Sequence, residues 1–300
     1  MFVKDCAMPN PFLEKLKEKP LLFDGAMGTM LMKAGQVSLK TPILLNQDEP
    51  ELVADIHRQY YAAGADVVIT NTFGGSPLKL VADGLEQQLV DLNRKAVKLT
   101  CQACPDGKFV AGDIGPSGKM IQPLGDVAPE EMQENFYSQA AVLIESGVDL
   151  IIIETMYSLE EALAAVQGVR KAGDILLLAS MTYSKTKKGF FTVMGETISR
   201  CVSALEGAGA DMMGANCTLN STEMIDLTTE LRAATDKPLL IQPNAGKPVT
   251  SKGVTYYEQT PYEFAADARK IRLAGADMIG GCCGTTPEFI QAVKADLSKA

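Results

Sequence analysis

The chain has 300 residues, with 28 Lys+Arg against 37 Asp+Glu for a formal charge of −9, and 46% of its residues are hydrophobic. That is an ordinary globular composition, long enough to bury a core without disulfide staples; the acidic balance argues against nucleic acid and anionic membranes as partners, and one histidine with no tryptophan removes most Ser-His-Asp, Cys-His and poly-His metal schemes. No stretch approaches the ~18 apolar residues of a membrane span, the N-terminus lacks the apolar run of a signal peptide, and the seven cysteines read as reduced thiols of a cytoplasmic protein.

In chain order, a short extension (about residues 1–19) precedes the apolar run LLFDG at 21–25. A helical pattern at 50–63 leads through Ala63-Gly64-Ala65-Asp66 into VVIT at 67–70, and a second at 85–104 leads to FVAGD at 109–113. A third at 129–146 passes through Ser146-Gly147-Val148-Asp149 into LIIIE at 150–154. Helix 158–172 precedes LLLASMTY at 176–183 and the basic segment 184–189, which reads as a mobile, solvated loop. Helix 196–208, Ala208-Gly209-Ala210-Asp211 and MMGAN (212–216) follow, then helix 221–235 and LLIQPN (239–244). Helix 260–274, Ala274-Gly275-Ala276-Asp277 and MIGG (278–281) lead into GCCGTTPEF, where Thr286 is a candidate N-cap with Pro287 in the first turn.

In the fourfold repeat the glycine ends a helix in the left-handed conformation, and the apolar run after it is a buried strand. Eight strands alternating with helices predict an α/β fold, a single (β/α)8 TIM barrel over 1–300, close to the usual ~250 residues. An open doubly wound sheet is the competing arrangement, but no GxGxxG follows the first strand.

Barrel active sites lie at the carboxyl ends of the strands. The residues there are Asp24-Gly25, Thr70-Asn71-Thr72, Gly112-Asp113, Glu154-Thr155, Asn216-Cys217, Gln242-Pro243-Asn244 and Gly281-Cys282-Cys283-Gly284. Three thiols on one rim suit zinc, and three protein ligands leave the open position of a catalytic site; Asn244 is a candidate weak fourth ligand before substrate arrives. A substrate thiol bound there is a nucleophile that needs no general base, which fits a chain with one histidine, and Asp24 and Glu154 could bind the ammonium of an amino-acid thiol. Cys6 and Cys201 read as core residues. Cys101 and Cys104 form a CxxC with no second pair to complete a site, and read as structural. A different reading also explains the glycines and threonines after the last strand: a phosphate-ligand barrel, a lyase or aldolase, with phosphate at a helix N-terminus.

The motifs DGAMGT (24–29), TNTFG (70–74), GDIGPSG (112–118), ET (154–155), NC (216–217), QPNAGKP (242–248) and GGCCGTTPE (280–288) together resemble the homocysteine S-methyltransferase family. The likeness covers about residues 10–298, and PELVADIHRQYYAAGADVVITNTFGG resembles in particular the N-terminal homocysteine module of cobalamin-dependent methionine synthases. The resemblance implies a (β/α)8 barrel with one Zn2+ held by Cys217, Cys282 and Cys283, completed by Asn244 without substrate, that methylates homocysteine to methionine as a zinc thiolate. It places Asp24, Gly25 and Glu154 at the substrate's amino and carboxylate groups, with Asn71 and Asn216 beside them; the 70–74 and 112–118 motifs line the same mouth. The absence of tryptophan disfavours the betaine branch, and an S-methylmethionine-type donor less strongly. Cobalamin binding in that family uses D-x-H-x-x-G, whereas the one histidine lies in Asp55-Ile56-His57-Arg58-Gln59-Tyr60 and reads as a helix residue near the barrel wall. The expected donor is therefore methylcobalamin in trans, on a separate methylcorrinoid protein or on another module of a longer enzyme. A non-catalytic docking subunit is the alternative from another class.

Overall fold

The computed structural model describes residues 10–36, 41–251 and 254–298; Cys6 lies outside them. Eight parallel strands form the sheet: β1 (Leu21–Leu22), β2 (Val67–Ile69), β3 (Phe109–Ile114), β4 (Leu150–Met156), β5 (Leu176–Met181), β6 (Met212–Asn220), β7 (Leu239–Asn244) and β8 (Met278–Ile279). Their order runs β1-β8-β7-β6-β5-β4-β3-β2. A parallel bridge from Phe23 to Val67 joins the two ends, so the sheet is the (β/α)8 barrel that the alternation predicts. The long helices are α1 (Pro11–Glu18), α2 (Met27–Lys33), α3 (Pro50–Ala63), α4 (Leu89–Ala103), α5 (Pro129–Glu145), α6 (Leu159–Ala172), α7 (Ile198–Gly207), α8 (Ser221–Ala234), α9 (Pro261–Leu273) and α10 (Pro287–Leu297). Among the described residues no helix is long and apolar enough to cross a membrane.

Alternation along each strand divides the core in two. Phe109, Ala111, Leu150, Ile152, Leu178, Met212, Leu240 and Met278 fill the barrel interior, while Val110, Ile151, Ile153, Leu177, Met213, Ile241 and Ile279 pack outward against the helices. The part of the N-terminal extension that is described is not a tail. Its helix α1, capped by Asn10, plugs the bottom of the barrel, with the Phe12 ring edge-on to Phe109 at 5.2 Å.

The repeat does more than end helices. Gly64, Gly147, Gly209 and Gly275 all have φ between 92° and 115°, as a left-handed helix end requires. Each aspartate two residues later then staples an even strand to the odd strand before it. The carboxylates of Asp66, Asp149, Asp211 and Asp277 accept from the backbone N–H of Leu22, Val110, Leu177 and Leu239 at 3.2, 2.7, 2.9 and 3.0 Å. Each aspartate's own N–H donates back to the carbonyl of that same residue.

One expectation is corrected. Segment 184–189 is solvated as expected, with residues 185–188 exposed, but it is part of a hairpin, not an irregular loop, and pairs Ser184–Thr186 with Gly189–Phe191. Phe190 anchors the hairpin in the core, and Lys185 reaches Asp226 at 2.7 Å. A second hairpin, Pro248–Ser251 with Val254–Tyr257, follows β7. His57 lies in α3 and is wholly buried, its Nε2 3.0 Å from Thr100 Oγ1; burial lowers its pKa to about 3, which leaves it neutral. Cys201 is buried in the core. Cys101 and Cys104, at the end of α4, are free, and burial raises both thiols.

Candidate active site

The carboxyl ends of the strands enclose a cleft of about 350 Å³, lined among others by Asp24, Gly25, Asn71, Asp113, Glu154, Cys217, Cys282 and Cys283. The Sγ atoms of the three cysteines all lie within 4.8 Å of one another. They arrive there by different routes. Cys217 sits where β6 loses its regular pairing with β7, between Asn216 and Asn220, and both Cys217 and Thr218 have positive φ, 61° and 60°. Cys282 and Cys283 lie in the turn after β8. Cys282 N–H donates to Pro243 O at 2.8 Å, and Cys283 O accepts from Ala245 N–H at 2.9 Å.

That turn is locked to the turn after β1. Thr29 Oγ1 accepts from Gly284 N–H at 3.0 Å; Thr285 Oγ1 accepts from Ala26 N–H at 3.2 Å and donates to Cys282 O at 2.7 Å. The two motifs at opposite ends of the sequence, DGAMGT and GGCCGTTP, are thus one interlocked unit. Gly25 is required by this fit, since a Cβ there would stand 2.6 Å from Thr285 Oγ1.

The thiols form one titrating cluster. Hydrogen bonds from Cys282 and Cys283 pull Cys217 down to about 3, against the effect of burial. The same contact with Cys217 pushes Cys282 well up and Cys283 up to about 11. One thiolate is therefore tolerated and three are not, unless a cation neutralises them. Three mutually contacting sulfurs match the donor set of zinc, whose S···S edges are about 3.8 Å for tetrahedral Zn–S bonds of ~2.3 Å. Asn244 donates to Cys217, while its Oδ1 is buried without a partner. Both observations fit the expected metal.

Asp24 Oδ2 accepts from Ile69 N–H at 3.0 Å, and its Oδ1 is buried and unpaired; burial, reinforced by Glu154, raises it well above the usual carboxylate range. Burial first, and the Cys217 charge second, raise Glu154 to about 7. Asn71 lines the cleft and is anchored through its amide to Pro42 O at 2.9 Å and to Asn46 Oδ1 at 3.2 Å. Asn216 is placed differently from the expected substrate contact. It is fully buried, and its Oδ1 accepts from Thr155 N–H at 2.9 Å and Ser180 Oγ at 2.8 Å. Its Nδ2 donates to Thr155 Oγ1 at 2.8 Å and to Glu154 Oε2 at 3.5 Å.

Tyr257, from the second hairpin, was not singled out by the sequence reading. Its hydroxyl stands beside Cys283, and its ring packs on Gly284. Its cue in the sequence is the aromatic pair Tyr256–Tyr257, three residues ahead of Thr260, which caps α9. The phosphate reading finds no support in the lining. Among the described residues the cleft has no lysine or arginine, and Thr286 Oγ1 bonds the Glu288 carboxylate in the first turn of α10, where an anion would be repelled.

Comparison with known proteins agrees with this geometry. The chain is 31% identical over 306 residues to methionine synthase of Mycobacterium leprae and 32% identical over 305 residues to that of Mycobacterium tuberculosis. These alignments cover 96% and 95% of this chain and 25% of each relative, so the chain spans about a quarter of their length. Among solved structures it is similar to the metallated form of the homocysteine methyltransferase MmuM from Escherichia coli. That match has a TM-score of 0.79 and 27% identity, covering 95% of this chain and 99% of that one. The profile described as homocysteine S-methyltransferase matches residues 21–297, and the chain belongs to that family.

Proposed function

We propose that the chain is a zinc-dependent methyltransferase that converts homocysteine to methionine, with the methyl group delivered by a methylcorrinoid on a separate protein or module. The observation that carries this reading is the convergence of three thiols with two carboxylates, the buried Asp24 and the half-buried Glu154, in one cleft. Cys217, Cys282 and Cys283 would hold the metal, with Asn244 beside them. When bound, zinc supplies the means of keeping an acceptor sulfur ionised at neutral pH.

The chain's own residues do the rest. Asp24 and Glu154 bind the substrate ammonium, and Asn216 acts through Glu154 by fixing its orientation. Thr29 and Thr285 hold the Cys282–Cys283 turn in register with the substrate-binding turn at Gly25. Met27, Met32, Pro42 and Phe73 form an apolar wall that excludes water from the sulfur while leaving the mouth open to a donor. No side chain is needed as general base, consistent with a histidine locked away from the cleft. The methionine synthase relatives fit methionine as the product.

The test is zinc content together with the zinc-edge absorption spectrum, with and without homocysteine, followed by turnover with free methylcobalamin or S-methylmethionine. One zinc per chain, a sulfur count rising from three to four on adding homocysteine, and methionine formed from methylcobalamin are expected. Cys282→Ser should lose tight zinc binding and activity together. A mutant that stays zinc-loaded and fully active overturns the assignment, as does a wild-type metal site indifferent to homocysteine. Homocysteine binding without turnover would instead support a docking subunit.

A further inference from the structure

The cleft holds a carboxylate that the roles above do not use. Asp113 is the last inward-facing residue of β3, continuing the alternation of Phe109 and Ala111, and it lines the cleft with Asp24 and Glu154. Its backbone is held from every side. The N–H donates to Thr70 Oγ1 at 3.1 Å and Thr72 Oγ1 at 3.2 Å, and the carbonyl accepts from Thr72 Oγ1 at 2.8 Å and Gln139 Nε2 at 3.2 Å. Gln139 is itself fully buried and also donates to Thr72 O at 2.7 Å.

The side chain is the opposite case. Asp113 is 4% exposed, and its Oδ1 is buried without a hydrogen-bond partner. A buried carboxyl group in that condition is costly, and nothing in the fold offsets the cost. Burial and the neighbouring Glu154 and Asp24 oppose its ionisation. No lysine or arginine among the described residues lines the cleft, so a compensating cation has to come with the ligand. A metal is not that cation, because the three cysteines are the only cluster among the described residues with ligand atoms close enough to share one. An ammonium brought by the substrate carries both the charge and the N–H donors that the orphaned carboxyl lacks.

We infer that Asp113 is a further substrate-positioning residue: it is a third anchor for the acceptor's α-ammonium and, with Asp24 and Glu154, selects thiols that carry a free amine. This rests on the homocysteine reading above. The backbone is fixed and the side chain holds no hydrogen bond that must be broken first, so its contribution appears in acceptor binding rather than in the methyl-transfer step.

The experiment is a two-by-two comparison of binding by calorimetry, on protein whose metal content is measured in each sample. Wild type and Asp113→Asn are each titrated with homocysteine and with 4-mercaptobutanoate, the same molecule without its amine. Homocysteine should bind the variant roughly 30-fold or more weakly, while 4-mercaptobutanoate changes by less than about twofold. Metal content should not change, and thermal stability should not fall, because no side-chain hydrogen bond is removed. Asp113→Ser, smaller and neutral, should behave alike and guards against a packing artefact in the amide variant. Equal loss for both thiols, or loss for neither, overturns the inference while leaving the homocysteine reading intact, with Glu154→Gln as the control that still discriminates. A wild type that binds neither thiol overturns the homocysteine reading and this inference with it.

Discussion

Thr155, Cys217 and Thr218 hold left-handed backbone conformations that cost residues other than glycine about 1–3 kcal/mol each, and all three lie where β4 and β6 break register. Asn216 joins the two breaks. Both ends of its amide hold Thr155 and its Nδ2 also reaches Glu154, while the residue after it is the metal-ligand candidate Cys217. Asn216→Ala removes four hydrogen bonds from a fully buried site and should lower stability by about 2–4 kcal/mol, measurable by chemical denaturation. It should also raise KM for homocysteine more than it lowers kcat, and leave zinc content near one per chain. Retention of normal KM would mean that Glu154 is oriented by something else. At this scale the sequence was half legible. The cysteines could be placed because they sit at strand ends flanked by glycines, whereas the orphaned Asp113 could not be told from a solvated rim residue until its surroundings were known. The left-handed turn at Thr155 leaves no trace in residue type, since threonine is a poor candidate for that conformation.

The elements themselves were read from runs of buried apolar residues and from the glycine that ends each helix, and those features are local. What the repeat leaves unsaid is that its four aspartates differ. Burial alone would raise Asp66, but hydrogen bonds from Lys108 at 2.8 Å, Lys19 at 2.9 Å and the Leu22 N–H hold it below the usual carboxylate value. Asp149 receives only the Val110 N–H and no ion pair among the described residues, and burial raises it. A carboxylate lowered in the folded state contributes stability that is complete above its unfolded pKa, near 4, and is lost as pH falls through the lower folded value. Asp66→Asn should therefore cost about 2 kcal/mol at pH 7, with the difference from wild type vanishing in acid. For Asp149 the sign reverses: the folded state binds the proton more tightly, so the charged form opposes folding and Asp149→Asn should be close to neutral or mildly stabilising at pH 7. Equal losses at the two sites, measured as denaturation free energy from pH 3 to 7, would contradict this account. The lysines of 184–189 are solvated as their sequence suggests; what the sequence hid is the hairpin, because the buried Phe190 that anchors it follows them in the chain.

Across the whole molecule, the two ends of the barrel divide stability from chemistry. The carboxyl end carries the unpaired carboxyls and thiols, and the amino end carries the aspartate staples and the α1 plug. Phe12→Ala opens the plug where Phe12 meets Phe109 and should cost about 3–5 kcal/mol. KM for homocysteine and zinc content at temperatures below unfolding should be unchanged; a matching loss of activity in folded protein would show that the plug reaches the cleft. The plug itself was not legible, because an amphipathic segment of eight residues ahead of the first strand has no periodic partner to announce what it covers.

The staples have a consequence for how the ring can be divided. Each carboxylate's bond to a strand N–H joins an even strand to the odd strand preceding it; Asp66 also reaches forward, to Lys108 just before β3. The barrel is thus four consecutive quarters, each a strand–helix–strand–helix unit clasped within itself, laid edge to edge. A chain reopened between α4 and β3, with its original ends linked, keeps every carboxylate-to-strand clasp inside an unbroken quarter, and only the Asp66–Lys108 pair meets the new opening. One reopened between α3 and β2 must close the Asp66 clasp across its own new termini.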